Sequence, residues 1–162
     1  MNYSHIRIKL ASFAVMAFMG TTLHAQTRII AHRGYWDCPG SAQNSLTSLR
    51  AADAIGTYGS EFDVHLTKDN KIVVNHDPTI EKYQIQNSNY KDLKKCKLRN
   101  GEKLATLEEY LDAGKSLKTR LILEIKAQYS QSHEDSLVRE TVEMVKAKGL
   151  ENRTDYISFS GN

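Results

Sequence analysis

Tyr58-Gly59-Ser60-Glu61-Phe62-Asp63-Val64-His65-Leu66 is the stretch whose reading decides the fold. Polar and apolar residues alternate along it, so Glu61, Asp63 and His65 share one face while Phe62, Val64 and Leu66 share the other, which is the period of a strand. One face is polar and inward and the other packs outward. The next residues, Thr67-Lys68-Asp69-Asn70-Lys71, have the composition of a hairpin turn and lead into Ile72–Val74 and then His76-Asp77. A tight turn would make that third strand antiparallel to its predecessor, in conflict with a parallel barrel. An extended run from Val64 to Lys71, about eight residues at ~3.3 Å each, offers instead a crossover without a helix.

Outward from this stretch the chain alternates strands and helices. A first strand, Ile29 to Arg33, ends in His32-Arg33. Pro39-Gly40 marks a loop, and Asn44 is the expected N-cap of a helix carrying Leu46, Leu49 and Ile55 that Gly56 stops. Thr79 to Gly101 is polar, Asn- and Lys-rich and patternless apart from Tyr90 to Lys95, and reads as an irregular insertion. Thr106 caps a helix to Ala113 with Leu107, Tyr110 and Leu111 inward, closed by Gly114. Leu121 to Ile125 alternates again and places Ile122, Glu124 and Lys126 on a common face. Ser132 caps a helix from His133 to Lys148 whose buried stripe is Leu137, Val138, Val142 and Val145, and Gly149 ends it. Tyr156 to Ser160 is a last strand.

Two imidazoles, three carboxylates and two cations therefore gather at strand ends. Parallel α/β barrels build their active sites at the C-terminal ends of their strands. The expected fold is a TIM-like (β/α)8 barrel, truncated, because such a barrel needs eight strands and typically ~250 residues while about five strands are present here. An open sheet of this kind leaves two edges free, so marginal stability and self-association through those edges are expected.

The bulk numbers agree with one domain. The chain has 162 residues, 40% of them hydrophobic, enough for one core. Residues 1–25 stand apart: Arg7 and Lys9 precede an uncharged run from Leu10 to Leu23, with Ala25 at a plausible cleavage point, which reads as a secretory signal peptide. The run falls short of the ~20 residues that a membrane span needs, so an exported protein, periplasmic or secreted, without a stable span is expected. Residues 26–162 form the domain. Arg7 and Lys9 contribute to the net charge of +3, so the mature chain is nearly balanced and no nucleic-acid partner is implied. Cys38 and Cys96 could pair in an oxidising compartment, the sequence alone does not pair them, and neither sits in a nucleophile setting.

His-Arg-Gly at the end of the first strand, Glu-x-Asp in the second, His-Asp after the third and Glu-x-Lys at the end of the fourth resemble the glycerophosphodiester phosphodiesterase family. The likeness extends to Asp63-Val64-His65-Leu66-Thr67-Lys68-Asp69 and to Leu104-Ala105-Thr106-Leu107-Glu108-Glu109, and covers about Arg28 to Ser160. Two positions depart from it. Ala42-Gln43-Asn44-Ser45 stands where the family has Pro-Glu-Asn-Thr, which removes a carboxylate near the site, and Ala105 replaces a proline.

The resemblance implies metal-dependent hydrolysis of glycerophosphodiesters to glycerol 3-phosphate and an alcohol, by way of a cyclic phosphate formed by the substrate's own hydroxyl. Cleaving a diester near neutral pH needs a base for the attacking oxygen and an acid for the leaving one, roles that His32 and His76 suit. Glu61, Asp63 and Glu124 read as ligands for Mg2+ or Ca2+, since three crowded carboxylates repel one another without a cation. The alternative is an ion pair between Glu124 and Lys126 with Glu61 solvating a rim. Arg33 and Lys126 would bind the substrate phosphate, Arg33 by a turn of the backbone at Gly34. His65 reads as structural and His133 as solvated. A related enzyme acting on lysophospholipid or sphingolipid head groups, or an inactive fragment, are the competing readings.

Overall fold

The structure is a computed structural model that describes residues 27–161, and the expected signal segment lies outside the described residues. The central strand, β2 (Gly59–Leu66), is buried along its whole length. β1 (Ile30–Ala31) pairs parallel to it on one side, with Ile30 opposite Gly59, and β6 (Arg120–Ile125) pairs parallel on the other, with Asp63 opposite Glu124. β7 (Thr154–Ile157) adds parallel to β6, which gives the order β1-β2-β6-β7. Each parallel step carries a helix, as parallel connections require: α1 (Leu46–Ala54), α3 (Leu107–Gly114) and α4 (Gln131–Ala147).

Alternation along β2 sorts its side chains as expected. Phe62, Val64 and Leu66 pack into one core with Leu49 of α1, Leu107, Tyr110 and Leu111 of α3, and Leu137 and Val145 of α4. Phe62 stacks on Tyr110 with ring centroids 4.3 Å apart. Each such side chain stabilises the fold by about 1.5–3 kcal/mol on leaving water. Glu61, Asp63 and His65 are buried on the opposite face.

The segment after β2 is a hairpin and not an extended crossover. β3 (Ile72–Val74) runs antiparallel to β2 with Leu66 opposite Ile72. Asn70 supplies the left-handed turn residue at φ 58, Thr67 N–H donates to the Lys71 carbonyl, and Thr67 Oγ1 donates to Asp69 Oδ1. A turn that satisfies its own polar groups so locally has no need to cross the sheet. The sheet thus has five strands, of which four run parallel, and no closed barrel forms among the described residues.

Residues 75–104 are ordered, which overturns the reading of a patternless insertion. They contain β4 (Thr79–Ile80), β5 (Tyr83–Gln84) and α2 (Tyr90–Leu93), and Ile80, Ile85, Leu93, Cys96 and Leu104 close a second small core over Val73. Their apolar residues follow no single period, so pattern reading passes over them. α3 begins as expected, with a reciprocal capping box between Thr106 and Glu109. Val74 N–H bonds the Ala105 carbonyl, a group that proline also has, so the alanine there leaves this contact intact.

α4 is shifted from its expected position. Ser130, not Ser132, is the N-cap, accepting from His133 N–H, and the buried stripe is Glu134, Leu137, Thr141 and Val145. Val138 and Val142 lie exposed. Glu134 is buried because its carboxylate accepts the Gln128 N–H, an anchor invisible to hydropathy. β7 starts two residues before its expected position, where Arg120 clamps Asp155 bidentately.

Candidate active site

The site forms where β1, β3 and β6 end beside Ser60 to Val64 of β2. β1 is followed by two consecutive left-handed residues, Arg33 at φ 59 and Gly34 at φ 74, so the backbone turn begins at Arg33 itself. A Cβ at Gly34 would lie 2.4 Å from Ser48 Oγ on α1, which restricts the position to glycine. The turn brings Arg33 N–H within 2.7 Å of Glu61 Oε2. It also points the guanidinium across the site, where Nη1 donates to Gln43 Oε1 at 2.8 Å and Nη2 lies 2.8 Å from His76 Nε2. Gln43 keeps the hydrogen bond that a glutamate would make but leaves the Arg33 charge uncompensated. That charge is then available to an anion.

The parallel pairing of β2 with β6 sets Asp63 beside Glu124, and Lys126 lies one step beyond. Lys126 Nζ is 2.8 Å from Asp63 Oδ1 and 2.7 Å from Glu124 Oε1. Glu124 and Lys126 do form the ion pair of the alternative reading, but with Asp63 as a third member. Burial opposes the charge on Asp63, yet the bonds from Lys126 and Asn44 hold its carboxyl below the usual range. Burial likewise opposes the Lys126 charge, and the same two carboxylates overcome it and raise its pKa. Glu61 has no such cation: burial, then the neighbouring Asp63 charge, push its carboxyl up to about 7.

The three carboxylates each offer an oxygen within 4.8 Å of the others. Glu61 Oε1 is buried without a hydrogen-bond partner among the described residues. A hard, acidic, oxygen-only donor set with an orphaned oxygen fits a divalent cation such as Mg2+ or Ca2+.

Asn44 is the site residue that sequence reading misplaced. It does not cap α1; Ser45 does, accepting from Ser48 N–H. Asn44 is left-handed at φ 59 and buried, its Nδ2 donating to Asp63 Oδ2 at 2.8 Å while its Oδ1 accepts Asp63 N–H. The adjacent Ser45, an equally good cap, is the signal that could have freed Asn44 for this role.

His76 Nδ1 is 2.7 Å from Asp77 Oδ1, which fixes the ring and leaves Nε2 facing Arg33. His32 is 3.9 Å from Glu61 Oε2 and mostly exposed. Burial and the Arg33 charge lower its pKa. His65 is buried, with Nε2 3.2 Å from the His76 carbonyl, and burial lowers its pKa. His133 is not solvated: it is half-buried, stacked on Tyr129, with Nε2 3.3 Å from the Leu66 carbonyl. Both cysteines are free thiols, Cys38 donating to the Tyr35 carbonyl and Cys96 buried, where burial raises its pKa. Beside Gln43 and Asn75 opens a cavity of about 750 Å³, bounded by the Trp36–Ala42 loop and by Leu98, Arg99 and Asn100.

The pattern of the glycerophosphoryl diester phosphodiesterase family matches residues 32–161, and the chain belongs to that family. Among solved structures, a glycerophosphodiester phosphodiesterase from Parabacteroides distasonis is 53% identical, with a TM-score of 0.81 over 83% of this chain and 57% of its own. A phosphodiesterase of Oleispira antarctica in complex with the product sn-glycerol-3-phosphate is 26% identical, with a TM-score of 0.70 over 83% of this chain and 58% of its own. Lysophospholipase D GDPD1 of Rattus norvegicus is 38% identical over 72 residues, 44% of this chain and 22% of the relative. The chain therefore matches little more than half of these structures and less than a quarter of that curated relative. It shares with the solved structures an α/β fold whose sheet is mainly parallel.

Proposed function

We propose that this domain hydrolyses glycerophosphodiesters to glycerol 3-phosphate and an alcohol, with a divalent cation, Mg2+ or Ca2+, held by Glu61, Asp63 and Glu124. The observation that carries this reading is the cluster of those carboxylates beside Arg33, whose backbone N–H bonds Glu61 and whose guanidinium meets His76. The bound cation would supply Lewis-acid polarisation of a phosphoryl oxygen. Arg33 and Lys126 place positive charge against the phosphate, Arg33 from a guanidinium already fixed by Gln43. His32, favoured in its neutral form, suits removal of the proton from the attacking oxygen. In the free site His76 Nε2 accepts from Arg33 and its ring proton lies on Nδ1 toward Asp77. Once the phosphate takes over the guanidinium, Nε2 is free to take up a proton, and as the new P–O bond forms and the bond to the alcohol breaks His76 passes that proton to the leaving oxygen.

Turnover of glycerophosphocholine tests this reading. Activity should vanish in excess chelator and return with Mg2+ or Ca2+; full activity with no metal bound would overturn it. The relative named a lysophospholipase D favours a second reading, cleavage of lysophospholipid head groups, which a lysophosphatidylcholine assay separates. Metal binding without turnover of either substrate would mark the chain as an inactive fragment.

Among the described residues β1 and β7 each pair on one side only. Strand edges of that kind favour self-association and marginal stability. Cooperative unfolding of a monomer with the turnover of a full-length relative would contradict that. Export with removal of residues 1–25 belongs to the same proposal, and N-terminal sequencing of the exported protein checks it.

A further inference from the structure

Between β3 and α3 the charge of the molecule changes sign. Residues 79–104 hold seven lysine and arginine side chains against three carboxylates, whereas the rest of residues 27–161 holds thirteen against sixteen. All seven cations are exposed. The few acids of the lobe are turned to other work. Glu81 accepts the Lys97 backbone N–H, and Glu102 accepts the Leu46 N–H and an Asn100 amide hydrogen. Asp92 makes one long contact, 3.9 Å, to Lys95. Lys91, Lys94, Lys97, Arg99 and Lys103 make no ion pair among the described residues.

Lys97 and Lys103 are moreover partners across an isolated antiparallel bridge. Residues directly opposite in such a pair stand side by side, and like charges there destabilise it. Glu81 lies against the Lys97 backbone N–H, but neither lysine ammonium makes an ion pair among the described residues, which leaves two adjacent cations open to an anionic group. The turn they flank, Leu98 to Gly101, carries Arg99 and forms one wall of the cavity beside Gln43 and Asn75. Asn100 ties that turn to the Gly40 carbonyl on the opposite wall. The cations and the cavity mouth are thus one structural unit.

We propose that this lobe is a docking surface for an anionic lipid bilayer, which it approaches with Lys94, Lys95, Lys97, Arg99 and Lys103 and so brings the cavity mouth to the level of the head groups. Clustered basic residues are attracted to a negative lipid surface, each adding about fivefold to partitioning. Nucleic acid fits the lobe less well, because its tyrosines, Tyr83 and Tyr90, pack on its own small core and offer no platform for stacked bases. The inference goes beyond the proposed hydrolysis and is read without it, by binding alone.

The test is co-sedimentation of the full chain with vesicles of phosphatidylglycerol and phosphatidylcholine, set against pure phosphatidylcholine, for the parent and for Lys94→Glu/Lys95→Glu/Lys97→Glu. The apolar run Leu10 to Leu23 is common to both chains, and its contribution is read on the neutral vesicles. The parent should gain binding on the anionic vesicles and lose that gain as salt rises. The triple variant should lose more than about 100-fold of the gain, since three lysines at about fivefold each are lost and three negative charges are added, with its thermal transition unchanged. The corresponding glutamine variant, which adds no negative charge, should lose about 100-fold and guards against a misfolded glutamate variant. A triple variant that keeps the parent's gain overturns the proposal, as does tighter binding of the parent to duplex DNA than to the anionic vesicles in the same buffer.

Discussion

The end of β2 and the lobe after β3 both concentrate charge, and they do it in opposite ways. On β2 each charge is buried and tied to its neighbours: Asp63 is bound by Asn44 and Lys126, and Lys126 bridges Asp63 and Glu124. In the lobe the charges stand in water above a small core, with few partners. Burial makes a few charges strong, specific and mutually dependent, whereas solvent leaves many charges weak, additive and sensitive to salt. Substitutions should therefore act steeply in the first region and gradually in the second.

The steepest effect is expected at the proposed proton carriers. His32→Ala and His76→Ala should each lower turnover by about 10²–10⁴-fold without shifting the denaturation midpoint, since neither side chain belongs to the main core. Retention of more than a tenth of the parent rate by either variant in an active preparation would remove that histidine from the mechanism. In contrast, Lys94→Ala should leave the rate on a soluble diester unchanged.

The two cores sharpen the comparison next. Phe62→Ala should cost about 3–5 kcal/mol and lower the unfolding midpoint of the whole domain, because Phe62 joins the sheet to α3. Ile85→Ala should cost about 2–5 kcal/mol, but amide exchange should rise first within residues 79–104. Equal loss of protection across the molecule would show that lobe and sheet unfold as one.

A pH series probes the buried charges directly. The Glu61 carboxyl is raised from 4.5 to about 7 in the fold, so its stabilising contribution is complete below the lower value and is lost as pH rises through the higher one. Metal-free protein should therefore lose up to ~3 kcal/mol across that window from this group alone, and Glu61→Gln should abolish that component of the slope. Mg2+ affinity should rise over the same range. A flat profile in metal-free parent protein would mean that Glu61 is already ionised.

The smallest expected effect is that of Asn44→Ala, about 1–3 kcal/mol from the lost bonds to Asp63. Asn44→Asp should be worse than alanine, since it sets a second carboxylate against Asp63. Urea titrations of the two variants give the ranking, and the reverse order would refute the bonding scheme.

What could be read in the sequence divides along the same line. Alternation places Glu61, Asp63 and Glu124 on strands from the sequence alone, because the period of a strand survives in the order of residues. The hairpin after Leu66 was also written there, in Asn70 and its polar neighbours, and was obscured only by the assumption that every strand must run parallel. Asn44 is misread, and Glu134 passed over, because their work is done by hydrogen bonds to backbone and carboxylate partners distant in sequence or hidden from hydropathy. The lobe core was missed because Ile80, Ile85, Leu93, Cys96 and Leu104 come from five short segments with no shared period.

The position of β2 also fixes an order in time. Its hairpin partner β3 follows within a few residues, whereas its parallel partner β6 places Arg120 opposite Gly59. On a chain made from its N-terminus, β2 and β3 emerge and can close while β6 is still unsynthesised. Contacts between residues distant in sequence form later, since a longer loop must first be closed. The nascent domain is thus expected to hold Glu61 and Asp63 hydrated through most of its assembly. The pairing of β2 with β6 would then bury them together with Lys126, so the candidate centre matures after the hairpin and not with it.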